Sequence, residues 1–93
     1  MAEPLLQKIA NGDSSAVDEC LAKYGNLVWS IARRYSPNNS DAEDATQEVF
    51  LEIWKNAARY DSDLSSEATF ITMIARRRLI DRHRKQSRRL ETV

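Results

Sequence analysis

Ser40-Asp-Ala-Glu-Asp-Ala-Thr-Gln-Glu-Val-Phe-Leu-Glu-Ile-Trp-Lys-Asn-Ala57 is the stretch whose reading decides the fold. Ala42, Ala45, Val49, Ile53 and Ala57 recur at steps of three and four, the spacing that lines one face of an α-helix. Phe50 and Trp54 widen this core stripe, while Asp44, Gln47, Glu48, Leu51 and Glu52 fall outside its centre, so the helix is two-sided. Ser40 followed by Glu43 is a capping-box pattern, with Asp41, Glu43 and Asp44 in the electropositive first turn, and it predicts that the helix starts there.

Working toward the N-terminus, Ser36-Pro37-Asn38-Asn39 is a turn. Before it Val17, Leu21, Tyr24, Val28, Ile31 and Tyr35 recur at steps of four, three, four, three and four, which predicts a long helix with Asp13 as its N-cap and Pro37 as its stop. A short helix precedes that one, with Pro4 in its first turn, Leu5, Leu6, Ile9 and Ala10 as its apolar face, and Asn11-Gly12 as its end. Toward the C-terminus, residues 60 to 66 carry neither period and consist mainly of turn and cap residues, so they read as a loop. Ser65 or Ser66 caps a fourth helix, in which Phe70, Ile71, Ile74 and Ala75 lead into the run Arg76 to Lys85. Beyond about Arg84 nothing apolar anchors the chain, so Gln86 to Val93 is expected to fray or to run on as a solvated linker.

A chain of 93 residues makes one domain, and two Gly and two Pro among many good helix formers point to an all-α fold. The expectation is a compact bundle of about four helices with a basic C-terminal helix. The single Cys20 cannot close an internal disulfide and reads as a small buried hydrophobe, which suits a reducing compartment. The N-terminus lacks a basic segment followed by a long apolar stretch, and no apolar run approaches the roughly 20 residues that span a bilayer. A soluble, cytoplasmic protein without membrane insertion is expected. The formal net charge of zero hides a strong asymmetry. Residues 1 to 75 hold six Lys and Arg against twelve Asp and Glu, whereas residues 76 to 89 hold eight against the single Asp81. An acidic body with a cationic end suggests a nucleic-acid contact at that end.

Catalytic chemistry finds no foothold: there is one His, one Cys, no Gly-rich phosphate loop and no metal-spaced Cys/His cluster, so neither enzymatic activity nor a cofactor is expected. His83, among arginines, reads as solvated or phosphate-contacting. Arg76, Arg77, Arg78, Arg82, Arg84 and Lys85 are candidates for phosphate contact, which releases counterions and weakens steeply with salt. A solvated helix end, favoured by the C-terminal dipole, accounts for the same charges without a ligand. Tyr60 offers a stacking surface, and Asp61, Ser62, Asp63, Ser65 and Ser66 offer hydrogen-bonding groups for an exposed base. Taken alone, that composition is also that of an ordinary loop.

The joined pattern from Asp41 to Trp54, followed about twenty residues later by Ile74-Ala-Arg-Arg-Arg-Leu-Ile-Asp-Arg-His-Arg84, resembles region two of the extracytoplasmic-function sigma factors of bacterial RNA polymerase. The likeness covers nearly the whole chain, since the family also has an upstream helix resembling Leu21 to Tyr35. The resemblance implies that the helix over residues 41 to 57 docks on the coiled-coil clamp helices of the largest polymerase subunit, with Asp44, Gln47, Glu48 and Leu51 at the contact positions. It implies that residues 60 to 66 hold a base flipped from the minus-ten element, while Arg76 to Lys85 grip the backbone of the non-template strand of promoter DNA. Capturing an unpaired base offsets the few kcal/mol of unstacking, so melting needs no catalyst. An anti-sigma inhibitor is implied as a further partner.

The chain departs from the family pattern at Phe70, where Trp is usual, and at Arg77, where Asn is frequent. Arg78 and Asp81 are spaced for an ion pair across one helical turn. Full members carry a second domain with a helix-turn-helix, so the chain reads as an excised domain: residues 1 to 85 form the region, and 86 to 93 start an interdomain linker. Two other readings compete: a general helical nucleic-acid binder, for which Asp44, Gln47 and Glu48 are expendable, and a pure protein-interaction module.

Overall fold

The structure, a computed structural model, describes residues 3 to 91. Four α-helices form it: α1 (Leu5–Ala10), α2 (Ser14–Arg34), α3 (Asn39–Asn56) and α4 (Glu67–Glu91), with a single 3-10 turn, Ala57–Arg59, extending α3. This is the all-α bundle that the apolar spacing predicts. Helix α2 packs on α1, α3 and α4, and α3 packs on α4, so one core is shared by three long helices and closed at one end by α1. The particle measures 53 × 23 × 19 Å, because α4 is about 37 Å long and projects past the bundle.

The core stripe of α3 is as read: Ala42, Ala45, Val49, Phe50, Ile53 and Ala57 are all buried, and Trp54 is half-buried with its ring centroid 5.4 Å from that of Phe50. They meet Tyr24, Val28, Ile31 and Ala32 of α2 and Ile71, Ile74, Ala75 and Leu79 of α4 in one apolar cluster. The stripe of α2 begins one residue out of phase with the reading. Ala16 and Cys20 are buried, whereas Val17 is half-buried and Leu21 is 41% exposed. Small side chains occupy the seam there: Cys20 is buried as read, and Ala16 is passed over by a pattern weighted toward large apolar residues.

Asp13 caps α2 as expected, its Oδ1 accepting the Ser15 N–H at 3.0 Å. Pro4 is the residue before the first turn of α1 rather than a member of it. Gly12 has φ +90°, a left-handed conformation that an L side chain rarely adopts, and so lets the chain reverse between α1 and α2. Two start signals differ from expectation. Helix α3 is capped by Asn38, not Ser40: its backbone is extended and its Oδ1 accepts the Asp41 N–H at 2.8 Å. Asn38 directly follows Pro37, so it is the first residue able to leave the turn with an Asx side chain aimed at the new helix. Helix α4 takes Ser66 of the two serines, whose Oγ accepts the Thr69 N–H at 3.1 Å.

The expected fraying after Arg84 does not occur: α4 continues to Glu91, and Gln86 donates to Asp41 of α3 at 3.2 Å. Arg, Lys, Gln and Leu favour helix, and the anchor in this stretch is polar, which an apolar count misses. Residues 92 and 93 of the expected linker lie outside the described residues. One tie is invisible in the sequence. The Leu6 N–H, one of the unpaired donors of the first turn of α1, is taken up by Glu67 Oε2 at the start of α4, 2.9 Å away.

Cys20 is buried, and desolvation, reinforced by the negative charge of Glu67, pushes its thiol up to about 11. The thiolate is the reactive form. Titration with a chromogenic disulfide reagent at pH 8 is therefore expected to label the folded chain only as fast as it unfolds, with prompt labelling in denaturant.

Candidate functional site

Helix α3 presents the outer face that its two-sided sequence predicts. Asp44, Gln47 and Leu51 are exposed, Leu51 to 62%, a high value for a large apolar side chain in a small domain. Positions 44, 47, 48 and 51 follow the i, i+3, i+4, i+7 spacing, so the four residues share one face. Glu48 is the member that also turns inward. Its Oε2 accepts from Arg82 Nη1 of α4, and its Oε1 lies 3.9 Å from Arg78 Nη2.

The second carboxylate on this seam is Asp41, whose Oδ1 accepts from Arg82 Nη2 at 2.7 Å. Arg82 is thus held between two carboxylates seven residues apart on α3, with its side chain only 19% exposed. Burial works against the Arg82 charge, but the hydrogen bonds to Asp41 and Glu48 outweigh it and raise the guanidinium above its usual value. The hydrogen bond from Arg82, more than the opposing effect of burial, holds the Asp41 carboxyl below the usual aspartate range. The expected Arg78–Asp81 pair does not form. Arg78 lies toward Glu48 instead, because the α3 carboxylate lies within its reach across the helix seam.

Because Asp41 has a lower pKa folded than unfolded, it stabilises the fold above the ordinary aspartate value of about 4, and that contribution disappears as pH falls through the depressed value. Chemical denaturation at a series of pH values is expected to show stability falling from about pH 4 downward, with a shallower fall in Asp41→Asn. A residual slope remains from Asp13, whose carboxyl is also lowered, chiefly by its bond from Ser15.

The remaining cations of α4 are differently placed. Arg76, Arg77, Arg84 and Lys85 are exposed, and Arg77 and Arg84, seven residues apart, share a face. Arg59, at the end of the 3-10 turn, joins them. It lines an open groove of about 270 Å³ with Asn56, Phe70, Met73, Arg77 and Asp81. Reading the basic run alone misses Arg59, which stands seventeen positions before Arg76. Only its place at the end of the α3 apolar stripe, directly before the loop, hints at it.

The loop before α4 is ordered by its own side chains. The Tyr60 hydroxyl donates to the Ser65 carbonyl at 2.9 Å, and its ring meets Phe70 edge-on at 5.3 Å between centroids. Asp61 accepts the Asp63 N–H at 2.9 Å through its side chain and the Leu64 N–H at 3.0 Å through its carbonyl. Ser66 is engaged with Thr69. Tyr60, Asp61 and Ser66 therefore hold the loop in shape; Ser62 and Asp63 are exposed, as are Asp61 and Ser66, and Ser65 is half-buried. Phe70 is a half-buried ring packed against the core cluster.

Among the described residues, no group of three or more His, Cys, Asp and Glu is arranged to hold a metal ion, and no helix is long and apolar enough to cross a membrane. The Sigma-70 region 2 family model matches residues 20–89. The chain is 32% identical over 82 residues to the ECF RNA polymerase sigma factor SigK of Mycobacterium tuberculosis (strain ATCC 25618 / H37Rv), an alignment covering 88% of this chain and 44% of that one. It is 30% identical over 84 residues to the SigK of Mycolicibacterium vanbaalenii, covering 90% and 43%. The chain thus spans less than half the length of these curated relatives. A family match over residues 20–89, which take in most of α2, all of α3 and most of α4, places the chain in the Sigma-70 region 2 family, with relatives of the extracytoplasmic-function type.

Proposed function

We propose that the domain serves transcription initiation by binding core RNA polymerase through α3 and the non-template strand of the promoter minus-ten element through α4 and the loop before it. The observation that carries this reading is the pairing of an acidic, partly apolar, solvent-facing strip on α3 with a cationic α4, on two faces of one rigid bundle. On α3, Asp44, Gln47, Glu48 and Leu51 supply carboxylates, an amide and an exposed leucine. Such a strip complements arginines on the polymerase clamp helices, with Leu51 as the desolvated centre.

On α4, Arg76, Arg77, Arg84 and Lys85 neutralise phosphates, while the loop offers Ser62, Asp63 and Ser65 to the edge of an unstacked base. Tyr60, Asp61 and Ser66 act by holding that loop ready, so less ordering entropy is lost when DNA arrives. Melting follows from binding: a strand held open by these groups draws the duplex equilibrium toward the open form. No step in this reading calls for catalysis or a cofactor. An anti-sigma factor fits the same reading as a protein that covers one of the two faces.

The test is fluorescence anisotropy with labelled minus-ten oligonucleotides, single-stranded against duplex, over a salt series. The proposal expects preference for the single strand and an affinity that falls steeply with salt. Equal affinity for unrelated sequences and for duplex would favour a general nucleic-acid binder, and no binding at low salt would favour a protein-interaction module.

A further inference from the structure

Glu48 belongs to the face just assigned to polymerase, and Arg82 to the cationic helix assigned to DNA, yet in the structure they bind each other. We infer that this ion pair is a latch that couples the faces: a cationic partner that takes Glu48 releases Arg82 to a phosphate, so polymerase and DNA binding reinforce one another. The inference rests on the proposed function for the identity of the two ligands, and on the geometry of the seam for the coupling.

A groove of about 240 Å³ runs along the seam, where Arg78, Arg82 and Lys85 face Glu48 and Asp81. Arg89 also lines the groove, and these four cations make a natural phosphate site, but the Glu48 carboxylate occupies it as an internal anion. The Nε atoms of Arg78 and Arg82 are buried without a hydrogen-bond partner, so each guanidinium keeps an unused donor that an outside oxygen reaches only after Glu48 moves aside and uncovers it. Glu48 is 36% exposed on its side chain, against 19% for Arg82. An incoming guanidinium from the α3 side therefore reaches Glu48 directly, while Arg82 is shielded from DNA until Glu48 moves.

Asp41 keeps its own bond to Arg82 throughout and prevents the arginine from swinging free, so the change is local. Neither singly occupied state satisfies every group: polymerase alone leaves Arg82 short of an acceptor, and DNA alone must displace Glu48 from it. Each ligand thus removes the cost that the other would meet, which is a reciprocal coupling.

The experiment measures single-stranded DNA affinity of the 93-residue chain by anisotropy, with and without a saturating fragment of the polymerase clamp helices. Wild type is expected to bind DNA about five-fold or more tightly when the fragment is present. Free Glu48→Gln should already show most of that gain, whereas Glu43→Gln, which removes the same charge from an exposed site on α3, should show little. Arg82→Gln, checked for helicity by circular dichroism, should bind the fragment but show no gain in DNA affinity from it. Equal DNA affinity with and without bound fragment would overturn the latch and leave the proposed function standing, as would equal gains in the two glutamine variants. Failure of the wild type to bind either ligand would overturn both.

Discussion

Ile53→Ala is expected to lower the unfolding free energy by about 3 kcal/mol, which corresponds to roughly 15 °C in melting temperature for a domain of this size. Ile53 is fully buried in the last turn of α3, in the cluster shared by α2, α3 and α4. Truncation there removes buried methylene groups and leaves a cavity that three rigid helices cannot close. Domains this small have a total stability of only about 5–15 kcal/mol, so the loss is large in proportion. Urea denaturation followed by circular dichroism checks it. Leu51→Ala, two residues away on the solvent face, should move the same transition by less than about 0.5 kcal/mol. A comparable loss at both positions would contradict the division of α3 into a core face and a free face.

The second large effect concerns the DNA face. Arg77→Ala combined with Arg84→Ala is expected to weaken single-stranded DNA binding roughly a hundredfold or more at low salt, since each charge-assisted hydrogen bond contributes about 1.5 kcal/mol or more. The logarithmic salt slope should become shallower by about 1.4, at about 0.7 for each single-strand phosphate that the protein no longer neutralises. Both side chains are exposed and share a face, and alanine keeps the helix propensity of α4 high. Unchanged stability with an unchanged salt slope would place the phosphate-binding groups elsewhere on the helix.

Much of this architecture is legible in the sequence because it depends on period. The α3 stripe from Ala42 to Ala57, the Asp13 cap and the Gly12 break are local signals, and the structure keeps them. Where sequence and structure part, the deciding interaction is small or distant. Ala16 and Cys20 occupy the seam and leave Leu21 41% exposed because close helix approach selects small side chains, whereas the stripe of large apolar residues runs through Leu21. Asn38 displaces Ser40 because the geometry of the turn at Pro37, more than the capping box, fixes where helical backbone begins.

The candidate site divides the same way. Asp44, Gln47 and Leu51 are assigned to an outer face by phase alone, and they are exposed. The engagement of Glu48 with Arg82, and of Asp41 with both Arg82 and Gln86, joins residues 34 to 45 positions apart. No helical spacing encodes such pairs. They arise only once α3 and α4 lie side by side, and for that reason spacing matches Arg78 to Asp81 within its own helix rather than to Glu48 across the seam. Glu67, which receives the Leu6 N–H from the far end of the chain, escapes a local reading on the same ground.

The most direct test of the central claim is titration of the folded domain with a purified fragment of the polymerase clamp helices, comparing wild type with Gln47→Ala and Leu51→Ala. Saturable wild-type binding that each substitution weakens at least several-fold, with the helical circular-dichroism signal unchanged, is the predicted result. Equal binding by all three chains, or none by the wild type at high fragment concentration, would contradict the assignment of the α3 face to polymerase.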